Sequence, residues 1–293
     1  MCSKQTLTAV KSAFRIFDMA INKNNTGYTF LFSIIMVVVV GAGLAFTSLY
    51  LKPLQKANAA DKQMIDVLVA IQVSSTRETA KKVFADYVSE RVSIDSKGVL
   101  VSTVKGPVDF KNSLDPFNID IKKDYRAYKT KRDADGNILR DGYKFPLYVC
   151  EKNGKKLYVI PVVGSGLWGP IWGYVALEDD METIFGASFA HKTETPGLGA
   201  EINMPSFSDQ FQEKSLREAS PYFNVVKSGS KTDDHSVDGI TGGTITSKGV
   251  EEMMNRTLDV YLLFFETLKT VEPVSPVIQP EVLVVDSLNT NNQ

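Results

Sequence analysis

The residues best suited to chemistry lie in one short run, 238–247, directly before a long stretch with helical periodicity. Each of Thr241 and Thr244 has a glycine as neighbour, so a bulky group can approach either hydroxyl. Thr246 or Ser247 can cap the following helix, whose free N–H groups and positive dipole end favour an anion such as phosphate. The run predicts either an accessible hydroxyl beside an anion site or a plain turn with an N-cap, and taken alone it favours the turn.

Two further loops combine glycine with groups that bind ligands. Residues 194–199 read Glu-Thr-Pro-Gly-Leu-Gly, so Pro196 and two glycines set the backbone course beside a carboxylate and a hydroxyl. Residues 164–170 are rich in glycine and contain Trp168, whose aromatic face can pack on a flat ligand ring. Each loop also has a purely structural interpretation, a tight loop in the first case and a core tryptophan in the second.

The counts of histidine and cysteine exclude several kinds of site. With only His191 and His235, the chain cannot build a His-rich zinc site or a multi-histidine haem site. With only Cys2 and Cys150, it cannot hold an iron–sulfur cluster by itself. No Walker sequence occurs, and the G-x-G-x-x-G at 164–169 lies between two predicted strands rather than at the start of a helix, which makes it a weak nucleotide-binding signal.

The elements that must position these loops give an α+β domain with an antiparallel sheet. Apolar runs at 146–150 and 156–163 flank Lys-Asn-Gly at 152–154, a strong hairpin signal. The remaining predicted elements are strands over 171–177 and 223–226 and helices over 62–92 and 247–269, the last with an apolar stripe of Val250, Met254, Leu258, Tyr261 and Phe265. Residues 99–104 alternate between apolar and polar only loosely and are left open. Residues 111–139 are charged and turn-rich and give no assignment.

A membrane anchor is predicted near the start of the chain. Residues 24–51 carry no charge, and about 20 apolar residues suffice to cross the hydrocarbon layer as a helix. A buried helix of a globular domain seldom stays apolar on every face for so long. A cleaved signal ending at Ala57-Asn58-Ala59 is disfavoured because signal h-regions span only about 7–15 residues. The basic residues before the span place the N-terminus in the cytoplasm, although Lys52, Lys56 and Lys62 follow closely after it.

Composition bounds what the rest of the chain can be. The 293 residues are 43% hydrophobic with a net charge of -1, so the chain is neither disordered nor basic in the manner of nucleic-acid-binding proteins. Two cysteines exclude a disulfide scaffold. We expect a cytoplasmic segment at 1–25, a transmembrane helix at 26–51, an extracytoplasmic α+β domain at 52–270 and an irregular tail at 271–293.

Three blocks of sequence, in order behind a single anchor, resemble one known family. They are Gly-Leu-Trp-Gly-Pro-Ile-Trp-Gly-Tyr at 166–174, Glu-Thr-Pro-Gly-Leu-Gly at 194–199, and a match at 238–244 to the flavinylation pattern D-x-x-[ST]-G-A-T. The chain resembles the NqrC family of the sodium-translocating NADH:quinone oxidoreductases and, more distantly, the RnfG family of the Rnf electron-transport complexes. The Gly-Leu-Trp element favours the sodium pump. The resemblance implies an FMN-binding domain over about 140–270.

The resemblance also implies roles for single residues. Thr244, the last residue of the pattern, would carry FMN through a phosphoester bond made by a flavin transferase. The residues that would surround the flavin are Trp168, Glu194, Thr195, Gly197, Leu198, Lys227, Thr241, Gly242 and Gly243. The transferase would recognise Asp238, Gly239, Thr241, Gly242 and Thr244. Gly243 departs from the family, which usually has alanine there, so recognition by the transferase could be weaker.

For function, the resemblance implies a protein that relays electrons within a pump of the bacterial inner membrane. Its partners would be the other proteins of the same complex (A, B, D, E and F), the flavin transferase and membrane lipid. No metal and no catalytic residue are expected, and the isolated chain should not oxidise NADH. The alternatives are an RnfG-type protein, a membrane-anchored assembly or binding module without cofactor, and an anchored hydrolase, which would need His235 close to a nucleophile.

Overall fold

The computed structural model describes residues 26–231 and 233–270, and it divides at Ala60 into two units. The expected cytoplasmic segment at 1–25 and the expected tail at 271–293 lie outside the described residues. Each unit is considered by itself below.

Helix α1 (Thr26–Ala70) begins in the first unit. Within the described residues it is the one helix long and apolar enough to cross a membrane, and its most apolar window is wholly unburied. Its exposed side chains include runs of Phe, Ile and Val between Phe30 and Val40, which water would disfavour and lipid tails would accept. The prediction of one apolar N-terminal helix is confirmed, and the helix continues past the predicted end at 51.

The predicted helix over 62–92 is wrong. Helix α1 ends at Ala70, Gln72 has a φ of 57°, and the chain then forms α2 (Ala80–Tyr87) and strand β1 (Val88–Ile94). Between the helices the backbone N–H of Thr76 donates to the hydroxyl of Thr79, a local bond that competes with helix formation. The β-branched residues of β1 are spaced by chance in a helix-like way, but pairing with the sheet decides their conformation.

The second unit is built on a seven-stranded antiparallel sheet. The spatial order is β2-β1-β3-β4-β5-β6-β7, and β8 and β9 form a separate parallel pair. The strands after β1 are β2 (Leu100–Lys105), β3 (Phe145–Lys152), β4 (Lys155–Ser165), β5 (Pro170–Leu177), β6 (Thr183–His191), β7 (Lys214–Ser215), β8 (Asn224–Val226) and β9 (Ser236–Asp238). The predicted fold class, an apolar N-terminal helix followed by an α+β domain with an antiparallel sheet, is confirmed.

The hairpin of β3 and β4 turns where the sequence predicts. Lys152 pairs with Lys155, and Asn153 and Gly154 between them have φ values of 53° and 76°. Two consecutive residues with positive φ make the turn type that matches the natural twist of two strands, and Asn-Gly is its preferred sequence.

Both faces of the sheet are covered. Helix α5 (Thr244–Thr270) packs on one face, and its predicted stripe is buried in the main core from Val250 to Phe265. On the other face the end of α1 packs, with Gln63 Nε2 donating to Tyr148 Oη at 3.0 Å and Ser188 Oγ donating to the carbonyl of Asp66 at 2.8 Å. Strands buried on both sides read as continuous apolar runs, which is why β3 and β4 stand out in the sequence.

The segment left unassigned in the sequence is organised around a buried ion pair. A 3-10 turn (Pro116–Asn118) and helix α3 (Ile121–Tyr128) follow β2. Arg91 donates through Nε and Nη2 to the two carboxylate oxygens of Asp115, both at 2.8 Å, and Asp115 also accepts the backbone N–H of Phe117 at 3.0 Å. A bidentate charged pair of this kind fixes the segment on β1.

Between β6 and β7 the chain forms only short elements. They are 3-10 turns (Gly199–Asn203 and Asp209–Phe211) and helix α4 (Pro205–Ser208). Phe207 and Phe211 of this segment are buried and contact Phe189 of β6, with ring centroids 5.7 Å and 5.0 Å away. This packing fixes the segment beside the sheet edge and leaves the loop before Gly199 free to face the N-terminus of α5.

Candidate functional site

Three loops that are distant in sequence line one cavity of about 230 Å³. They are the turn between β4 and β5, the loop after β6, and the start of α5. The lining residues are Leu167, Trp168, Glu194, Thr195, Leu198, Gly199, Gly242, Gly243, Thr244, Ile245 and Thr246. The three blocks that stand out in the sequence therefore meet in space.

The start of α5 presents free hydrogen-bond donors to this cavity. The carbonyl of Gly243 accepts the N–H of Ser247 at 2.9 Å, which makes Gly243 the N-cap and Thr244 the first helical residue. Among the described residues, nothing accepts a hydrogen bond from the backbone N–H groups of 244, 245 and 246. These three donors and the helix dipole favour an anion beside the exposed side chain of Thr244.

The predicted N-cap is wrong by one turn. Thr246 and Ser247 lie inside α5, and their hydroxyls serve other partners: Thr246 Oγ1 donates to Glu194 Oε2 at 2.6 Å, and Ser247 Oγ accepts the N–H of Ile240 at 2.9 Å. A glycine N-cap leaves the helix end without a side chain over it. The donors stay open to the cavity for that reason.

Glu194 joins all three loops. Its Oε1 accepts the backbone N–H of Trp168 at 2.8 Å, and its Oε2 accepts the hydroxyl of Thr246. Only 5% of Glu194 and 1% of Thr246 are exposed. A buried carboxylate needs such donors, so the two hydrogen bonds keep the loops in register around the cavity.

Trp168 is held by its backbone while its side chain faces solvent. Besides the bond from its N–H to Glu194, its carbonyl accepts the hydroxyl of Thr193 at 2.9 Å. The residue is nonetheless 65% exposed, and Leu167, Leu198 and Ile245 around the same cavity are also exposed. An apolar rim on a fixed backbone suits a flat ring as ligand.

Two glycines give the cavity its room. A Cβ at Gly199 would contact Thr246 Oγ1 and lie 2.5 Å from Glu194 Oε2, so a side chain there would break the link between the loops. Gly242 has a φ of +76°, and a Cβ there would lie 2.7 Å from Leu198 Cδ2. Gly199 therefore needs glycine for space, and Gly242 needs it for space and for its positive φ.

Gly243, where the resembled family usually has alanine, has tight surroundings. A Cβ would lie 3.0 Å from Cγ2 and 3.1 Å from Cβ of Ile240, and 3.3 Å from the backbone N of Gly199. An alanine methyl at 243 would therefore be crowded, and Ile240 or the backbone of Gly199 would have to move by a few tenths of an ångström to accept it. Glycine at 243 avoids this crowding.

Seven of the ten residues expected to carry or surround the flavin line the cavity: Trp168, Glu194, Thr195, Leu198, Gly242, Gly243 and Thr244. Gly197, Lys227 and Thr241 are exposed and lie outside the lining. The lining also includes Leu167, Gly199, Ile245 and Thr246, which were not among the expected site residues. Each of these four lies within two positions of an expected residue, so adjacency was the signal that could have found them.

The residues expected to be recognised by a transferase lie just before the helix. Asp238 ends β9, and its Oδ1 accepts the backbone N–H groups of Ser230 and Lys231 at 3.0 and 3.1 Å. Gly239 donates its N–H to the carbonyl of Val226 at 2.7 Å, and a Cβ on it would lie 2.8 Å from that oxygen. The approach to Thr244 is therefore a backbone-anchored turn.

His235 does have a hydroxyl nearby, that of Ser215 at 3.3 Å from Nδ1. The same nitrogen lies 2.7 Å from the carbonyl oxygen of Ser215, which requires Nδ1 to donate a proton and prevents it from accepting one from the hydroxyl. Neither residue lines the cavity. The geometry does not support the anchored-hydrolase alternative.

Comparison with known proteins identifies the cavity-bearing region. A family model described as an FMN-binding domain matches residues 166–259. This range contains every residue that lines the cavity. The chain thus has an FMN-binding domain that starts at the Trp168 turn and ends within α5.

Relatives match much more of the chain. The C subunit of the Na⁺-translocating NADH-quinone reductase of Vibrio vulnificus strain YJ016 is 31% identical over 236 residues, covering 77% of this chain and 88% of the relative. Its counterpart in Pseudomonas aeruginosa is 29% identical and covers 80% and 92%.

Solved structures agree with the sequence relatives. The C subunit of the same reductase from Parabacteroides distasonis is 32% identical with a TM-score of 0.60, covering 73% of this chain and 96% of that one. NqrC of Shewanella oneidensis is 27% identical with a TM-score of 0.57, covering 73% and 99%. The chain belongs to the NqrC family, the C subunits of the Na⁺-translocating NADH-quinone reductases.

Proposed function

We propose that the chain relays electrons in a sodium-translocating NADH:quinone reductase through an FMN attached by a phosphoester bond to Thr244. The observation that carries this proposal is the position of Thr244. Its exposed side chain stands at the first residue of α5, where three free backbone N–H groups line the same cavity. An acceptor hydroxyl and an anion site thus coincide.

The cavity fits the parts of FMN. The free donors at 244–246 suit a phosphate group, and the apolar rim of Leu167, Trp168, Leu198 and Ile245 suits a flat aromatic ring. Gly199 and Gly242 leave open the space that side chains would take. When bound, FMN supplies the exchange of one or two electrons.

In this proposal the residues of the chain bind the flavin and orient it. The start of α5 holds the phosphate end, the Trp168 turn presents an aromatic face, and Glu194 with Thr193 fixes the backbone of that turn. Gly197, Lys227 and Thr241 complete the surroundings in this proposal from outside the cavity wall. The rim is exposed, which leaves the ring end open to electron partners.

A flavin transferase installs the flavin in this proposal, recognising Asp238, Gly239, Thr241, Gly242 and Thr244. Support comes from the turn before α5, which is anchored by the carboxylate of Asp238 and the backbone N–H of Gly239 and keeps Thr244 exposed. A Cβ at 243 would be crowded by Ile240, so glycine suits the turn at this position.

The proposed location is the bacterial inner membrane, with α1 as a single span, the N-terminus in the cytoplasm and the FMN-binding domain outside. The partners are the other proteins of the complex, A, B, D, E and F. Support comes from the length and composition of α1 and from the names of the relatives. Because the G-x-G-x-x-G at 164–169 joins two strands and opens no helix, it is not a convincing dinucleotide fingerprint, and the isolated chain is expected not to oxidise NADH.

The test is the mass of the full chain after co-expression with its flavin transferase. The wild type should gain the mass of one FMN less one water and show flavin fluorescence on a denaturing gel. Thr244→Ala should lose both signals, while Thr195→Ala, which removes another exposed hydroxyl of the same cavity wall, should keep the attached flavin. A wild-type mass equal to that of the bare polypeptide, or fluorescence that survives Thr244→Ala, would reject the proposal.

A further inference from the structure

Glu194 places one buried negative charge in the wall of the cavity, and the proposed binding of FMN uses its hydrogen bonds but not its charge. Both oxygens of Glu194 accept hydrogen bonds from neutral donors, the N–H of Trp168 and the hydroxyl of Thr246. Within residues 26–231 and 233–270, no lysine, arginine or histidine forms an ion pair with this carboxylate. Its charge is therefore fixed in place, and none of the described cationic side chains forms an ion pair with it.

We propose that the carboxylate of Glu194 lowers the reduction potential of the redox group held in this cavity. The inference rests on the proposed function, since it needs a flavin in the cavity. Adding one electron to a bound ring adds one unit of negative charge before any proton follows. A fixed anion in the wall of the same cavity opposes that addition and so makes reduction less favourable.

Burial decides how strongly the charge acts. Exposed charges are screened by water and salt, whereas a charge in a low-dielectric wall acts across the cavity with far less attenuation. Glu194 is 5% exposed and lines the cavity, so its field reaches a bound group more effectively than that of any surface carboxylate on the same loop.

The hydrogen bonds allow charge to be separated from geometry. In Glu194→Gln the amide oxygen can still accept the N–H of Trp168, and the amide N–H₂ can donate to the hydroxyl of Thr246, which accepts as well as it donates. The link between the loops is kept, and only the charge is removed. Glu194→Asp does the opposite, since it keeps the charge on a side chain one methylene too short for both partners.

The experiment measures the midpoint potential of the loaded full chain in detergent by titration with dithionite in the presence of mediator dyes. We expect Glu194→Gln to shift the potential to a more positive value than the wild type. Glu201→Gln is the matched control, because Glu201 also accepts a backbone N–H, that of Gly197 at 2.8 Å, but lies outside the cavity wall. It should leave the potential nearly unchanged.

A second isosteric pair keeps the test valid if Glu194→Gln fails to fold. Glu194→Asn and Glu194→Asp share one shortened geometry and differ in charge, so the neutral member should again have the more positive potential. Equal midpoint potentials within either pair would overturn the inference. It would also be overturned if the wild type and Glu194→Asp carried flavin while Glu194→Gln and Glu194→Asn did not, because the charge would then be needed for binding. The mass of each sample separates the two proposals: a wild type without FMN rejects the proposed function and the inference with it, whereas loaded samples with equal potentials reject only the role of the charge.

Discussion

The hydroxyl of Thr246 donates to Oε2 of Glu194 at 2.6 Å, and this bond joins the first turn of α5 to the loop after β6. The two residues are 52 positions apart in the chain. Since Glu194 also accepts the N–H of Trp168, one carboxylate connects the three loops that line the cavity. The site is thus held together by a buried polar contact rather than by the loops' own turns.

Thr246→Val should destabilise the domain, because it keeps the shape of the side chain and removes the donor to a buried carboxylate. Leaving such a group short of a partner costs about 1–3 kcal/mol. Urea unfolding followed by circular dichroism measures the loss. Thr246→Ser, which restores the hydroxyl, should recover most of it, and Thr241→Val at an exposed position should cost little. Equal stabilities of the Val and Ser variants would contradict this role of the bond.

Gly249→Ala should separate α5 from the sheet. A Cβ there would collide with the carbonyl oxygen of Ser165 and lie 3.1 Å from Cδ1 of Ile171. Alanine favours a helix by about 1 kcal/mol over glycine, but a clash with backbone cannot be relieved by turning a side chain. We expect a net loss of about 1–3 kcal/mol in the free energy of unfolding. Lys248→Ala, at the exposed neighbour, is the control, and a stabilised Gly249→Ala variant would show that the helix can shift freely.

Asp115→Asn tests the buried ion pair that organises the segment after β2. Arg91 and Asp115 are almost completely buried, so removing one charge leaves the other unpaired, at a cost of about 3–5 kcal/mol. The apolar double variant Arg91→Met with Asp115→Leu should lose less than the single variant, since neither charge then remains. Glu90→Gln breaks the exposed pair with Lys105 and should leave the unfolding midpoint in urea unchanged. A single variant as stable as the wild type would remove Arg91 from this role.

Local signals predicted much of the fold, and they failed where distant partners decide. Asn153-Gly154 specifies its turn by itself, and the stripe of α5 is visible in one helix. The end of α1 at Ala70 was missed because apolar residues at helical spacing continue as far as Val92. The last of these residues belong to β1, which pairs with β3 and forms no helix. The N-cap was misplaced because the sequence does not show that the hydroxyl of Thr246 bonds to Glu194, which lies 52 positions away.

The candidate site shows the same division. The three sequence runs at 164–170, 194–199 and 238–247 contain all eleven lining residues, and seven of these were expected site residues, since glycine-rich loops and an acceptor threonine are local features. Thr193, which holds the carbonyl of Trp168, carries no such signal, because its role depends on the β5–β6 register bringing the two loops together. The Arg91–Asp115 pair is equally invisible before the sheet is formed.

Cys150 should react with thiol reagents only after unfolding. Burial raises the pKa of its thiol to about 12, so at pH 8 the reactive thiolate is scarce as well as inaccessible. In the unfolded chain the pKa returns to about 8.5. A folded pKa above the unfolded one means that this thiol's contribution to stability is complete below about pH 8.5 and is lost progressively as the pH rises towards 12. Labelling of a Cys2→Ser variant at pH 8 with and without urea measures the difference, and rapid labelling of the folded chain would contradict it.

Trp168 should become protected when the flavin is attached. Its side chain is 65% exposed on a backbone that Thr193 and Glu194 hold still, so a ring bound in the cavity can cover it without moving the turn. In a Trp172→Phe background, lifetime-corrected acrylamide quenching of Trp168 should be weaker in the flavin-loaded chain than in its unloaded Thr244→Ala counterpart. Trp172 lies outside the cavity wall, so a Trp168→Phe background should show no such difference and serves as the control. Equal quenching of Trp168 in loaded and unloaded chains would place the ring elsewhere.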